Sequence, residues 1–389
     1  MRWGATSYAG WVLVAVAAGC PPPPVSAPPA RAVAELPPAP RQVAGVDVAA
    51  TAAAPAARPT TMRRLTAAEC RSLAAQNAPL ADDLDRHPGG PSRLRPRKAD
   101  QAECGRLVRG YAADELRNRA AGDALDDFYK LARAEAQYDL LLAARAEVAA
   151  RLAEADAAAK HGFRDRGDAL RTQLHDFDAQ LAQLDGGIGA LNASLRGRLG
   201  LAGADPTPLG PADPLCVPAH DVDADAAVRT ALRYRPDLNL IRALLGCRDA
   251  AGLAGQVLSG INPLLAAGSG HPVAALLLAL CGKDDGTGDR LESALAGRER
   301  QAEAEVRAAA ATLRGHRAAA AARAAAVQDA AAKVEDFEAR AAAGQSVTAD
   351  LSAARLELLK ARGSLLEAAA EWHRADVRLR QATGALVRE

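Results

Sequence analysis

Between residues 351 and 382, Leu351, Leu358, Leu365, Trp372 and Leu379 recur every seven residues, and Ala354, Ala361, Ala368, Ala375 and Ala382 follow three positions behind them. No other feature restricts the fold as strongly. A heptad with one large and one small apolar position is the seam of two helices held close together along their length. A second seam runs through Leu170, Leu174, Phe177, Leu181, Leu184, Ile188, Leu191 and Leu195. A third occupies 291–343, with Val306, Leu313, Ala320, Val327, Val334 and Ala341 seven apart. A fourth, less regular stretch spans roughly 105–160 and carries Tyr138, Leu142, Val148, Leu152 and Ala155. Helices of this length reach ~50 to 85 Å, which suits a rod or a tube and not a compact globule. With aromatics at only 3%, there is little bulk for the core of a globular enzyme.

The turns pair these helices. HGFRDRGDAL (161–170) separates the fourth seam from the second, and AGQSVTADL (343–351) separates the third from the first. In both, a Gly (Gly162, Gly344) precedes an Asp (Asp168, Asp350) by six residues. Gly ends a helix with positive φ and Asp caps the next, so each segment is the tip of a helical hairpin. Upstream, TAAECRSLAAQNAPLADDL (66–84) aligns with ADAAVRTALRYRPDLNLI (224–241), Pro79 on Pro236. The chain is an internal duplication: a short helix ending near a Pro, a variable segment, then a long hairpin. The expected organisation is a signal peptide (1–19), a Pro/Ala-rich tether (20–62), a first repeat (63–201), a Pro-rich linker (202–220) and a second repeat (221–389). The expected fold is mainly α, duplicated long antiparallel hairpins of the coiled-coil tube type, with at most a vestigial β-barrel part.

The N-terminus reads as an export signal. Arg2 is followed by the short apolar run Trp11–Val16, then by Ala17, Ala18, Gly19 and Cys20. A Cys directly after small residues resembles a bacterial lipobox, and Cys20 is the expected acylated residue, which would anchor the chain in a cell-envelope membrane. In an oxidising envelope the remaining cysteines can pair. Cys70 and Cys104 flank one loop and Cys247 and Cys281 another, so two staples are expected, with Cys216 left over. No CxxC spacing occurs, and neither a metal nor a cofactor is expected.

Other polar groups fit structural roles. Asp221, Asp223 and Asp225 lack the Gly and Glu of a calcium loop and read as acidic residues at a helix N-terminus. His175 and Asp176 have no nucleophile beside them, and His161 and His316 have no second ligand one turn away. Arg93, Arg95, Arg97 and Lys98 read as a solvated loop. The formal charge of +1, from 48 basic and 47 acidic residues, supplies no footprint for nucleic acid.

The order and spacing of LTAAECRSLAAQNAPLADDL (65–84), AAVRTALRYRPDL (226–238), the two tips, ALNASLRGRLGL (190–201) and the C-terminal hairpin return (349–384) resemble the TolC-like outer-membrane efflux family. The resemblance covers most of 63–389. It implies a homotrimer whose hairpins form a periplasmic tube beneath a β-barrel, acting as the passive duct of an efflux or type I export system. It also implies a periplasmic adaptor and an inner-membrane pump as partners. By position, Arg164, Asp165, Arg166 and Asp168 of one tip, and Gln345, Ser346 and Asp350 of the other, would meet the adaptor or hold the tube shut. The chain departs from the family between Pro79 and Gly162, which is about 25 residues shorter than Pro236 to Gly344. DLDRHPGGPSRLRPRKADQAEC (83–104) is polar, and the apolar run of 273–281 does not alternate as a barrel strand does. The alternative expectation is a barrel-less, lipid-anchored periplasmic scaffold. No enzymatic activity is expected.

Overall fold

The computed structural model describes residues 46–47, 62–86, 99–161, 167–201, 203, 207–219, 221–247 and 287–388. In chain order these form β1 (Val46–Asp47), β2 (Arg63–Leu65), α1 (Ala67–Gln76), α2 (Pro79–Arg86), α3 (Ala99–Lys160), α4 (Gly167–Arg198), β3 (Leu209–Pro211), β4 (Cys216–Val217), α5 (Ala224–Tyr234), α6 (Pro236–Leu245), α7 (Thr287–Ala342), α8 (Thr348–Thr383) and a final 3₁₀ turn. The fold is mainly helical, as the heptads require. The helix α3 has 62 residues and α7 has 56, or ~93 Å and ~84 Å at the standard rise.

Hairpin α3–α4 and hairpin α7–α8 join through α3 and α8, giving the spatial order α4, α3, α8, α7. Arg355 of α8 bridges Glu147 of α3, and Arg374 bridges Asp126, so α3 and α8 run antiparallel. Both tips therefore point the same way, and the short helices gather at the opposite end, the base.

Burial follows this polarity. The seam residues Leu365, Trp372 and Leu379 of α8 and Val306, Leu313 and Ala320 of α7 are buried, whereas Ala341 beside the tip is exposed. At the base, α2, α3, α6 and α7 enclose Tyr111, Leu240, Leu244 and Leu291. Most of the α4 seam is only half-buried, because α4 is an outer helix packed against α3 alone along most of its length.

The duplication is visible in three dimensions. The C-terminal ends of α4 and α8 each close with a left-handed Gly, Gly200 (φ 69°) and Gly384 (φ 72°). Each Gly lies against the turn preceding the aligned Pro. A Cβ on Gly200 would meet the Asn77 side chain, and one on Gly384 would come within 2.8 Å of Pro236 Cδ. Asn77 donates to Arg198 O at 3.0 Å, and Arg235 donates to Ala382 O at 3.2 Å, so the same turn in each repeat satisfies the frayed carbonyls of the returning helix.

Among the described residues the strands form two small ladders. β1 pairs antiparallel with β4, Val46 opposite Val217, and β2 pairs parallel with β3, Arg63 opposite Leu209. The segment between the repeats is tied down by side chains. Buried Asn192 of α4 donates to Leu209 O at 3.0 Å and accepts from Leu209 N at 2.7 Å, and Asp213 accepts from Ala67 N at 2.6 Å. Asn192→Ala leaves both backbone groups of the buried Leu209 without their partner. The expected cost is about 2 to 3 kcal/mol, read as a lower urea midpoint at unchanged slope.

Two sequence expectations need correction. Cys104 is bonded to Cys247, with Cα atoms 6.0 Å apart, and not to Cys70. Cys70 is buried and free, its thiol 3.6 Å from Ala124 O. Neither Cys70–Cys104 nor Cys247–Cys281 is the pairing, because the start of α3 meets the end of α6 at the base. Cys20 and Cys281 lie outside the described residues, as do Arg93, Arg95, Arg97 and Lys98. So does most of 261–289, the place expected for vestigial strands, whose last three residues begin α7.

Candidate functional site: hairpin tips, groove and ion-paired base

The tip of α7–α8 is built by backbone hydrogen bonds. Gly344, at φ 80°, donates to Ala341 O at 2.9 Å, and Gln345 N reaches back to Arg340 O at 3.1 Å. This closes the helix with the left-handed Gly expected from the sequence. Arg340 then spans the turn to Gln345 Oε1 at 2.9 Å. The N-cap of α8 is Val347, without a side-chain cap, so Asp350 sits inside the first turn and is not the cap. Freed from capping, Asp350 joins Asp329, Asp336 and Glu357 around a groove of about 710 Å³, with Lys333 as its described cation. Ser346 is exposed.

At the other tip, α4 begins at Gly167, so Asp168 also lies within the helix. It pairs with Arg171 at 2.9 Å, and Arg171 reaches Asp156 of α3 at 2.7 Å, clamping the hairpin one turn below its end. Gly162, Arg164, Asp165 and Arg166 lie outside the described residues.

Below the tips a groove of about 870 Å³ runs over α3 between α4 and α8. Leu140, Leu184 and Leu359 supply its apolar surface, and Gln173, Gln180 and Gln183 line one wall.

The base is held by charge. Asp237, with 1% of its side chain exposed, accepts from Arg235 Nε at 2.9 Å and Arg298 Nε at 2.8 Å. Glu305 contacts Arg235 at 2.6 Å and Arg298 at 2.8 Å, closing a four-membered ring between α6 and α7. The Arg-Pro-Asp-Leu run was legible, but Arg298 and Glu305 are distant in sequence and carried no signal of their own. The three N-terminal aspartates act as expected. Asp223 caps α5 through Asp225 N and Ala226 N, while Asp221 and Asp225 bind Arg317 and Arg307 of α7.

Two buried groups titrate in opposite senses. His373 of α8 stacks on Tyr129 at 4.6 Å and meets Trp372 edge-on at 5.0 Å. Burial, then Arg380, pushes its pKa down to about 4, against a hydrogen bond that the ring donates to the Cys216 backbone. Burial, then Asp237, pushes Glu115 of α3 up to about 7, against Arg119. The histidine contribution is complete above pH 6.5 and is lost as pH falls towards 4. The glutamate contribution is complete below pH 4.5 and is lost as pH rises through 7. Each is worth at most about 3 kcal/mol. In Glu115→Gln the opposing term is gone, so stability should rise more between pH 5 and pH 7.5 than in the unsubstituted protein. Thermal melts across that range check this; equal gains would refute it.

Among the described residues, no group of three His, Cys, Asp or Glu side chains could hold a metal, and no helix is long and apolar enough to cross a membrane. No protein-family model and no curated protein matches the sequence. Solved structures do. The outer membrane protein VceC of Vibrio cholerae matches with a TM-score of 0.54 at 13% identity, over 81% of this chain and 95% of that one. The outer-membrane channel OprN matches at 0.56 and 14%, over 94% and 100%. CusC, described as forming a transmembrane channel, matches at 0.54 and 14%, over 82% and 95%. At such identities what is shared is architecture, and this chain carries, in divergent form, the TolC-like helical fold of the outer-membrane channels.

Proposed function

We propose that this protein is the outer-membrane component of an efflux or type I export assembly, a passive conduit coupled to an inner-membrane pump. Three copies would form the helical tube, with Cys20 acylated and holding each chain at the outer membrane. The reading rests on the channel-type fold and, above all, on two hairpins whose tips share one end of the molecule, away from the described short helices. The tips, with Gly162, Arg164, Asp165, Arg166 and Asp168 on one hairpin and Gly344, Gln345, Ser346 and Asp350 on the other, form the surface that meets a periplasmic adaptor. The second reading, a barrel-less anchored scaffold, draws on the short first repeat and the absence of any Phe, Tyr or Trp between Tyr234 and Phe337, where a barrel would need interfacial aromatics.

Conductance of the purified protein in a planar bilayer, with its oligomer size measured alongside, separates the two. Discrete large pores from a trimer support the conduit. A folded helical protein that gives no conductance moves the reading to the scaffold.

A further inference from the structure

Because α4 and α8 both pack on α3, they leave between them the groove of about 870 Å³. Its floor runs along α3 from Lys130 to Ala144, ~21 Å at the standard rise. All three helices supply apolar side chains: Leu140 and Leu141 below, Phe177 and Leu184 on one wall, Leu356 and Leu359 on the other. Phe177 and Leu184 stay half-buried, with apolar surface still open to water. A mostly apolar concavity of this size, with a few polar groups at its rim, is the ordinary form of a small-molecule site.

Composition keeps the space open. Each wall carries a Gly inside its helix, Gly187 on α4 and Gly363 on α8. Each costs its helix about 1 kcal/mol relative to Ala. Crowding within the chain requires neither. A Cβ on Gly187 would meet no atom within 4 Å, and one on Gly363 would lie 3.9 Å from Leu140 Cδ1, an ordinary contact. What both glycines preserve is the width of the groove.

Charge selects the occupant. Among the described residues, every charged side chain that lines the groove is basic: Lys130, Arg133 and Lys360. Lys130 is held by Asp126 at 2.6 Å, and Arg133 lies 3.6 Å from Glu371. Lys360 is exposed and has no ion pair among the described residues. The wall glutamines are neutral. An elongated apolar molecule with one negative head group therefore satisfies both the floor and the free ammonium. A cationic counterpart would meet three like charges and no lining carboxylate.

We propose that this groove binds a free single-chain anionic amphiphile of the long-chain carboxylate class. The tail lies along Leu140, Leu184 and Leu359, and the head group pairs with Lys360. The site is contained in one chain and depends on neither the trimer nor the conduit reading.

The test uses the full-length protein in a non-ionic detergent, with a palmitic acid carrying a diazirine on its tail as the probe. After illumination, mass spectrometry should place the label on peptides covering 130–144, 173–191 and 356–363. Unlabelled palmitate should displace it. An alkyl trimethylammonium of the same chain length should not, nor should phospholipid vesicles. Gly187→Leu, which fills the groove, should reduce labelling several-fold, whereas Gly315→Leu on the exposed surface of α7 should leave it unchanged. Lys360→Glu should also reduce it several-fold and let the trimethylammonium compete, while Lys360→Arg should keep the original preference. Circular dichroism checks that each variant is folded. Label spread over all exposed helices, equal displacement by the cationic amphiphile, or full labelling of Gly187→Leu would each overturn the assignment. Displacement by phospholipid vesicles would overturn it in favour of a membrane lipid.

Discussion

Asp237→Ala is expected to destabilise the protein by about 3 to 5 kcal/mol, the cost of leaving buried charge without its partner. The carboxylate holds Arg235 at 2.9 Å, Arg298 at 2.8 Å and the backbone N–H of Leu238 at 2.8 Å. Arg235 and Arg298 expose only 9% and 11% of their side chains, so water cannot replace what is removed. Glu305, at 36% exposure, would be left to balance two guanidinium groups. Glu305→Ala should therefore cost less, about 1 kcal/mol, because solvent reaches its place. Urea unfolding of both variants, followed by far-UV circular dichroism, measures the difference. Equal losses would mean that the ring is more hydrated than its burial indicates. Replacing Arg235, Asp237 and Arg298 together with Met, Leu and Met removes the desolvation penalty along with the attraction. The triple variant should unfold closer to the unsubstituted protein than Asp237→Ala does. It would still lose the Arg235 bond to Ala382 O and should fray the end of α8.

The ring joins residues that no local pattern in the sequence connects. The helices were legible because each heptad is a local pattern, and the tip at Gly344 because a left-handed Gly has a local cause. Pro79 and Pro236 revealed the duplication, and the structure shows both preceding turns capping a returning helix. Asp168 and Asp350 are not caps but lie one and two residues inside their helices, since α4 and α8 start at Gly167 and Thr348. Asn192 gave no signal, because an Asn between Leu191 and Ala193 looks like a solvated helix position until β3 is laid against it. His373 was hidden in the same way beside Trp372. The pairing of Cys104 failed for a topological reason: sequence proximity pointed to Cys70, but the hairpins bring the base of one repeat onto the base of the other.

That pairing carries the second large expectation. Cys104 and Cys247 are separated by 143 residues, and their bond closes a loop containing the whole first hairpin and the segment between the repeats. In the chain-entropy account, a loop of this size restricts the unfolded state by about 5 kcal/mol, and losing a native bond costs about 2 to 5 kcal/mol in practice. The folded state has less to lose, because around the bond α2, α3, α6 and α7 already share an apolar core of Tyr111, Leu240, Leu244 and Leu291. Cys104→Ser with Cys247→Ser should therefore fold to the same helical content but unfold at a denaturant midpoint lower by the equivalent of about 3 to 5 kcal/mol. The reduced unsubstituted protein should behave like the double variant. If reduction instead removes helical signal without denaturant, the bond is holding a base that cannot pack by itself. The two repeats would then be separate folding units joined chiefly by this crosslink, the ring around Asp237 being confined to the second. The Arg374–Asp126 bridge between α8 and α3, at 2.6 Å, argues for the first outcome, since it ties the hairpins together away from the cysteines.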